Sequence, residues 1–311
     1  MKKLSAFILA FCLLVALSAC GKGSEGDLAQ VGDQTISRAD FEEIYALYRT
    51  LPKKAIQGGE EDPEALARDL LDTLVWEKMV EEDAQTQGID ERGIFEEKKR
   101  EAVKSFGNEE GLQSQLKSLN ISSEAFEGSL RREALTQAHR EAVAKKGTPS
   151  EEDIRAYYDK HPKDRVLLDF QEVWVPTRKE AESIAESWNE GKDLGAYQSL
   201  NEDPFEKTGF QTLKNMGIRD DRLVSPKVFD QDVETAAVYP KDGIYYVVYV
   251  RQRQDDYNLV KPYILSLYEE DHYRAYMKDL AKDLHVRIHY DALPDLSPAP
   301  QSSEEEQSGE K

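Results

Sequence analysis

Apolar periodicity changes twice along this chain, and that double change limits the folds open to it. Between residues 37 and 160 apolar side chains recur at helical spacing in thin stripes. Phe41, Ile44, Tyr45 and Tyr48 make one face, and Leu66, Leu70, Leu74, Val75 and Met79 another. Residues 166–175 and 245–250 are instead β-branched and aromatic, which predicts strands. Between them Thr177 and Glu180 cap a helix carrying Ala181, Ile184, Ala185 and Trp188. After Pro262 helical spacing returns through Leu265, Tyr268, Tyr276, Leu280 and Leu284. Val286, Ile288 and Tyr290 then alternate with Arg287 and His289, as a one-sided strand does. Thin stripes do not hold a helix alone, so the helices must pack on one another. The chain therefore reads as α+β, with mainly helical stretches on either side of a small mixed module.

Local signals place the ends of elements. Residues 29–36 read as a hairpin turning at Gly32 and Asp33. Ser37 with Asp40 starts the next helix, and Ile36 with Phe41 forms its hydrophobic staple. Thr148, Pro149, Ser150 and Glu151 form a capping box before a helix through Ile154, Tyr157 and Tyr158, which His161 and Pro162 end. Residues 192–240 show no clear period.

Charge removes whole classes of function. The 311 residues include 41 basic and 61 acidic side chains, a net −20, with 39% apolar residues. Nucleic-acid binding needs a basic footprint and is not expected. Both cysteines fall within the first twenty residues, so thiol catalysis and Cys-based zinc are excluded beyond them. His285 and His289 are four apart but straddle the expected end of a helix, so no metal site is expected. His139, His161 and His272 are isolated in sequence. A charge run such as Glu96, Glu97, Lys98, Lys99 and Arg100 reads as a solvated helix face.

Lys2 and Lys3 precede an apolar run over residues 6–19 that is too short to span a bilayer. Leu17, Ser18, Ala19 and Cys20 resemble the lipobox of bacterial lipoproteins. That resemblance implies a signal peptide over 1–19, acylation of Cys20, a tether over 20–26 and an extracytoplasmic, membrane-anchored protein. Losing residues 1–19 removes Lys2 and Lys3 and leaves a net −22, which anionic lipid repels. The Pro-, Ser- and Glu-rich tail, 293–311, reads as disordered.

Three further stretches carry a second resemblance. They are Val31-Gly32-Asp33-Gln34-Thr35-Ile36-Ser37-Arg38-Ala39-Asp40-Phe41, Leu71-Asp72-Thr73-Leu74-Val75-Trp76-Glu77-Lys78 and Glu152-Asp153-Ile154-Arg155-Ala156-Tyr157-Tyr158. With the order of elements, they resemble the SurA/PrsA type of extracytoplasmic foldase over most of residues 27–292. The resemblance implies a chaperone lobe over 27–163, completed by a helix and strand over 257–292. A parvulin-type prolyl isomerase domain would be inserted at 165–254, and the strand near residue 288 would pair back onto the hairpin.

Parvulins carry a histidine on the first strand, another on the last strand, and an acid or cysteine before a Gly-aromatic pair. The matching positions here hold Glu172, Tyr246 and Lys207, the last preceding Gly209 and Phe210. Neither strand contains a histidine. Glu172 shares a strand face with Phe170 and Trp174, where it could pair with Lys207 or face solvent. Phe210, Met216 and Phe229 are candidates for an apolar client groove or for plain core. The resemblance thus implies a chaperone for unfolded or nascent secreted polypeptides, with isomerase activity weak or absent and no cofactor. An active isomerase with an unorthodox residue set and a non-catalytic envelope scaffold are the alternatives.

Overall fold

A computed structural model describes residues 27–50, 63–119, 121–192, 195–200 and 207–293. The expected signal peptide, Cys20, the tether and the tail beyond Leu293 lie outside these residues. The chain opens with β1 (Asp27–Val31), β2 (Gln34–Ser37), α1 (Arg38–Thr50) and α2 (Pro63–Gln87). Next come α3 (Arg92–Ser105), α4 (Glu109–Ser118), α5 (Ser123–Lys146) and α6 (Glu151–Lys160). The mixed segment holds β3 (Leu167–Val175), α7 (Arg178–Asn189), β4 (Gly209–Met216), β5 (Ala236–Lys241) and β6 (Ile244–Gln254). Helix α8 (Tyr257–Asp283) and β7 (Arg287–Ile288) follow. The fold is α+β with two small antiparallel sheets.

Packing divides the described residues into two compact units, those up to 145 with those from 275 onward, and those within 146–274. The sequence reading drew borders near 164 and 255 instead. Ile154 on α6 and Val260 and Ile264 on α8 bury themselves with Leu167 of β3, which draws α6 and the first part of α8, up to residue 274, into the second unit.

In the first unit β1 is the centre of a sheet ordered β2-β1-β7. Ala29 faces Ile36 on one side and Ile288 on the other. Gly32, at φ 56°, makes the hairpin turn, where a side chain would strain the backbone. Its N–H donates to the Leu284 carbonyl at 2.8 Å, and the His289 N–H donates to the Leu28 carbonyl at 2.8 Å. The carboxy-terminal helix and strand thus close this unit on its first hairpin. Helices α3, α4 and α5 share a core that includes Phe95, Leu112, Leu116, Phe126 and Leu130. Each such side chain contributes about 1.5–3 kcal/mol by leaving water. The expected solvated run is partly engaged, since Lys98 reaches Glu133 at 2.6 Å and Lys99 reaches Glu127 at 2.7 Å across to α5. His285, at φ 51°, follows α8, and His289 lies beyond β7, so the two share no helix face. Among the described residues no three candidate metal ligands cluster.

In the second unit the sheet order is β4-β3-β6-β5, all antiparallel. Strands β4 and β5 arise within the stretch whose sequence showed no period. Helix α7, capped by Thr177, lays Ala181, Ile184 and Trp188 on the face carrying Val173, Val175 and Val247. The opposite face, with Leu168, Phe170, Val248 and Val250, is covered by Leu223, Val228 and Phe229. The capping box that starts α6 is Ser150 with Asp153, two residues later than the sequence suggested. Helix α8 begins before Pro262, which stands inside it. The hydrogen bond lost at proline is offset by the buried neighbours Val260 and Ile264. Arg219 ties this unit together, bonding Asp164 at 2.5 Å and Asp271 at 3.2 Å.

Candidate functional site on the four-stranded sheet

Alternation along β3 puts Phe170, Glu172 and Trp174 on one face, opposite the face that α7 covers. The register then assembles two rows across the sheet. One row reads Gln211, Glu172, Val248 and Ala237 from β4 to β5. The next reads Gly209, Trp174, Tyr246 and Tyr239. Gly209 is required here, because a Cβ would stand 2.0 Å from the Trp174 ring. The Trp174 and Tyr246 ring centroids are 6.3 Å apart. Tyr239 donates from its hydroxyl to Gln231 Oε1 at 2.9 Å, and Gln231 Nε2 donates to the Val248 carbonyl at 3.0 Å.

Glu172 is 1% exposed, so the solvated reading of this side chain does not hold. Gln211 Nε2 donates to its Oε1 at 2.8 Å, and its Oε2 has no partner among the described residues. Burial pushes the carboxyl up to about 7; the Gln211 hydrogen bond and the Lys241 charge only partly oppose it. Tyr246 is half-buried, and its hydroxyl is pushed up by burial and then by the charges of Glu172 and Asp242.

Lys207 does not meet Glu172. The register sets Gln211 opposite the acid, and Lys207 stands four residues further along the chain, exposed before β4 begins. Among the described residues Glu172 accepts a hydrogen bond from Gln211 and forms no ion pair with Lys207. Nor do Phe210, Met216 and Phe229 form one groove. Phe210 packs under α7, whereas Met216 and Phe229 belong to the core of the other face, and all three are buried. The shallow depression of about 370 Å³ along α7, lined by Thr177, Glu180, Ser183, Ile184 and Tyr197, contains none of these residues.

Two polar clusters of the first unit escaped sequence reading. His139, isolated in sequence, is fully buried with Nε2 2.7 Å from Asp83 Oδ2. The same oxygen accepts from Tyr276 at 2.6 Å and from Gln87. Burial alone would raise the Asp83 carboxyl, but the hydrogen bonds from Tyr276, Gln87 and His139 bring it below its ordinary value. Nearby in sequence Glu77 pairs loosely with Arg132 at 3.6 Å, and burial pushes it up to about 7 despite that cation. Gln87 is one helical turn from Asp83, but the other partners lie on α5 and α8, too far apart in sequence for spacing to reveal.

Residues 3–140 match the family of the SurA-like N-terminal domain. That match covers the first hairpin and most of α1–α5. One similar solved structure is from the pair of SurA-like chaperones PEB4 and Cj1289 of Campylobacter jejuni. It is 14% identical with a TM-score of 0.43, covering 85% of this chain and 99% of that one. The foldase protein PrsA of Streptococcus pneumoniae is 16% identical with a TM-score of 0.39, over 87% of this chain and 97% of that one. PrsA of Lactococcus lactis is 15% identical with a TM-score of 0.38, over 86% and 96%. No curated protein matches the chain in sequence. No helix among the described residues is long and apolar enough to cross a membrane.

Proposed function

We propose that this protein is an extracytoplasmic chaperone, anchored to a bacterial cell membrane by lipid on Cys20, which holds unfolded or nascent secreted polypeptides. The observation that carries this reading is the SurA-like N-terminal domain over residues 3–140. The lipobox-like Leu17, Ser18, Ala19 and Cys20 support the anchor, since two or more acyl chains hold a protein firmly to a bilayer. The net −22 after cleavage keeps client complexes soluble and favours basic clients. Fifteen tyrosines supply contact area with a polar handle, suited to weak, unselective binding of extended chains. Purified protein added to an unfolded model client at low salt should slow its aggregation. No slowing at several-fold molar excess removes the reading, and pull-down of one stoichiometric folded partner would favour a scaffold instead.

A second reading, prolyl isomerisation, is favoured by one observation: the row that places Tyr246 beside Trp174 and one register step from Glu172. Rotation about an X–Pro bond meets a barrier of roughly 20 kcal/mol. A catalyst lowers it by hydrogen bonds that favour the twisted amide over the planar one. The half-buried Tyr246 hydroxyl is the donor in this reading, since Glu172 is too buried to reach a bound peptide. With no histidine on β3 or β6, activity is weak or absent in this reading. A proline-peptide assay decides it: a rate equal to the uncatalysed one ends the enzyme reading, and a rate lost in Tyr246→Phe sustains it.

A further inference from the structure

The row through Glu172 holds no cation. Gln211 lies to one side, and Val248 and then Ala237 lie to the other. Phe170, Trp174 and Val248 around it are buried. The charged and titratable groups that face it are Lys241 at the far end of β5 and Tyr246 on β6, which Asp242 also influences. Lys241 is exposed and stands four residues along β5 from Ala237. Strands are spaced about 4.8 Å apart and rise about 3.4 Å per residue, so its backbone is well over 10 Å from that of Glu172. An anion here would have one donor and one orphaned oxygen in a dry layer, an arrangement that costs several kcal/mol relative to water. A proton removes most of that cost.

We infer that Glu172 is a proton-operated catch: in its acid form it keeps the four-stranded sheet closed, and losing the proton favours local opening of β3 against β4 and β6. Opening hydrates the carboxylate and uncovers the apolar face that includes Leu168, Phe170, Leu213 and Val248. The device adds to the proposed chaperone role without depending on it. The folded value of about 7 stands above the ordinary 4.5, so the closed form binds more protons than the open one between those limits. Closure is therefore strongest at acid pH and weakens as pH rises to neutrality. From pH 5.5 to pH 8 the opening constant should increase about 30-fold by this linkage.

Hydrogen exchange on the full chain in detergent micelles, corrected for intrinsic amide rates, reads this constant in peptides from 167–175, 209–216 and 244–254. Wild type should show the 30-fold rise, and Glu172→Gln and the apolar Glu172→Leu should both be flat. Glu77→Gln should leave the rise in these peptides intact. A flat wild type overturns the inference without any variant. A rise that persists in either Glu172 variant, or vanishes in Glu77→Gln, overturns it equally.

Discussion

Asp83 in the first unit and Glu172 in the second are both buried carboxyls, yet their environments push them in opposite directions. Asp83 collects donors from Gln87, His139 and Tyr276 on a single oxygen and is held below its ordinary value. Glu172 collects one donor and is held up near 7. Burial alone raises both. The donors that neighbouring elements bring decide the sign of the net shift, because hydrogen bonds to the charged form replace lost hydration. One helical turn brings Gln87, and helices from distant parts of the chain add His139 and Tyr276 at the same oxygen. A sheet row offers only the two residues beside a position, and here one of those is valine.

The largest test of this contrast is Asp83→Ala. It removes the acceptor that His139, Tyr276 and Gln87 share in the first unit and should cost about 3–5 kcal/mol, as removing one partner of a buried network does. Urea denaturation at pH 7 measures it, and a loss below 1 kcal/mol would mean the cluster is not a linchpin. Next is Glu172→Gln, whose effect depends on pH. Because the folded value exceeds the unfolded one, the stability associated with Glu172 is present below pH 4.5 and is lost as pH rises through 7. The amide removes that loss, so the variant should gain about 3 kcal/mol on wild type at pH 8 compared with the same difference at pH 4. Denaturant midpoints at the two pH values settle it; equal differences would make Glu172 an ordinary core residue. The smallest expected effect is that of Tyr276→Phe, which withdraws one of three donors from Asp83. A loss of about 1–2 kcal/mol is expected, with faster exchange in the carboxy-terminal part of α8. Unchanged exchange there would assign the docking of that segment to apolar contacts alone.

Legibility in the sequence followed the range of the interaction. Alternation at Val286, Ile288 and Tyr290 was enough to expect a strand, because one-sided burial imposes period two, whereas its return to the first hairpin was implied only by the resemblance. Strands β4 and β5 were missed. Gly209–Met216 mixes Lys214 and Asn215 into its pattern, and Ala236–Lys241 contains Pro240. Edge strands tolerate both, since one side of each ladder is unpaired. Pro262 misled in the same way, because tertiary burial of Val260 and Ile264 overrode a local breaker. Glu172 was singled out because it matches the position of the first parvulin histidine, and Lys207 or solvent were the partners expected for it. Register, which no local pattern encodes, put Gln211 opposite instead.

The amino-acid order by itself determined the periods, the caps at Ser37 and Thr177, the turn at Gly32 and Asp33, and the balance of charge. Each depends on residues within a turn or two of one another, where sterics and local hydrogen bonds act. Only the tertiary structure decided which groups share a buried oxygen, which strands are edges and which carboxyl goes without a counter-charge. Those outcomes depend on elements far apart in sequence meeting in one register, and the free energy of a buried polar group is set by whatever stands against it.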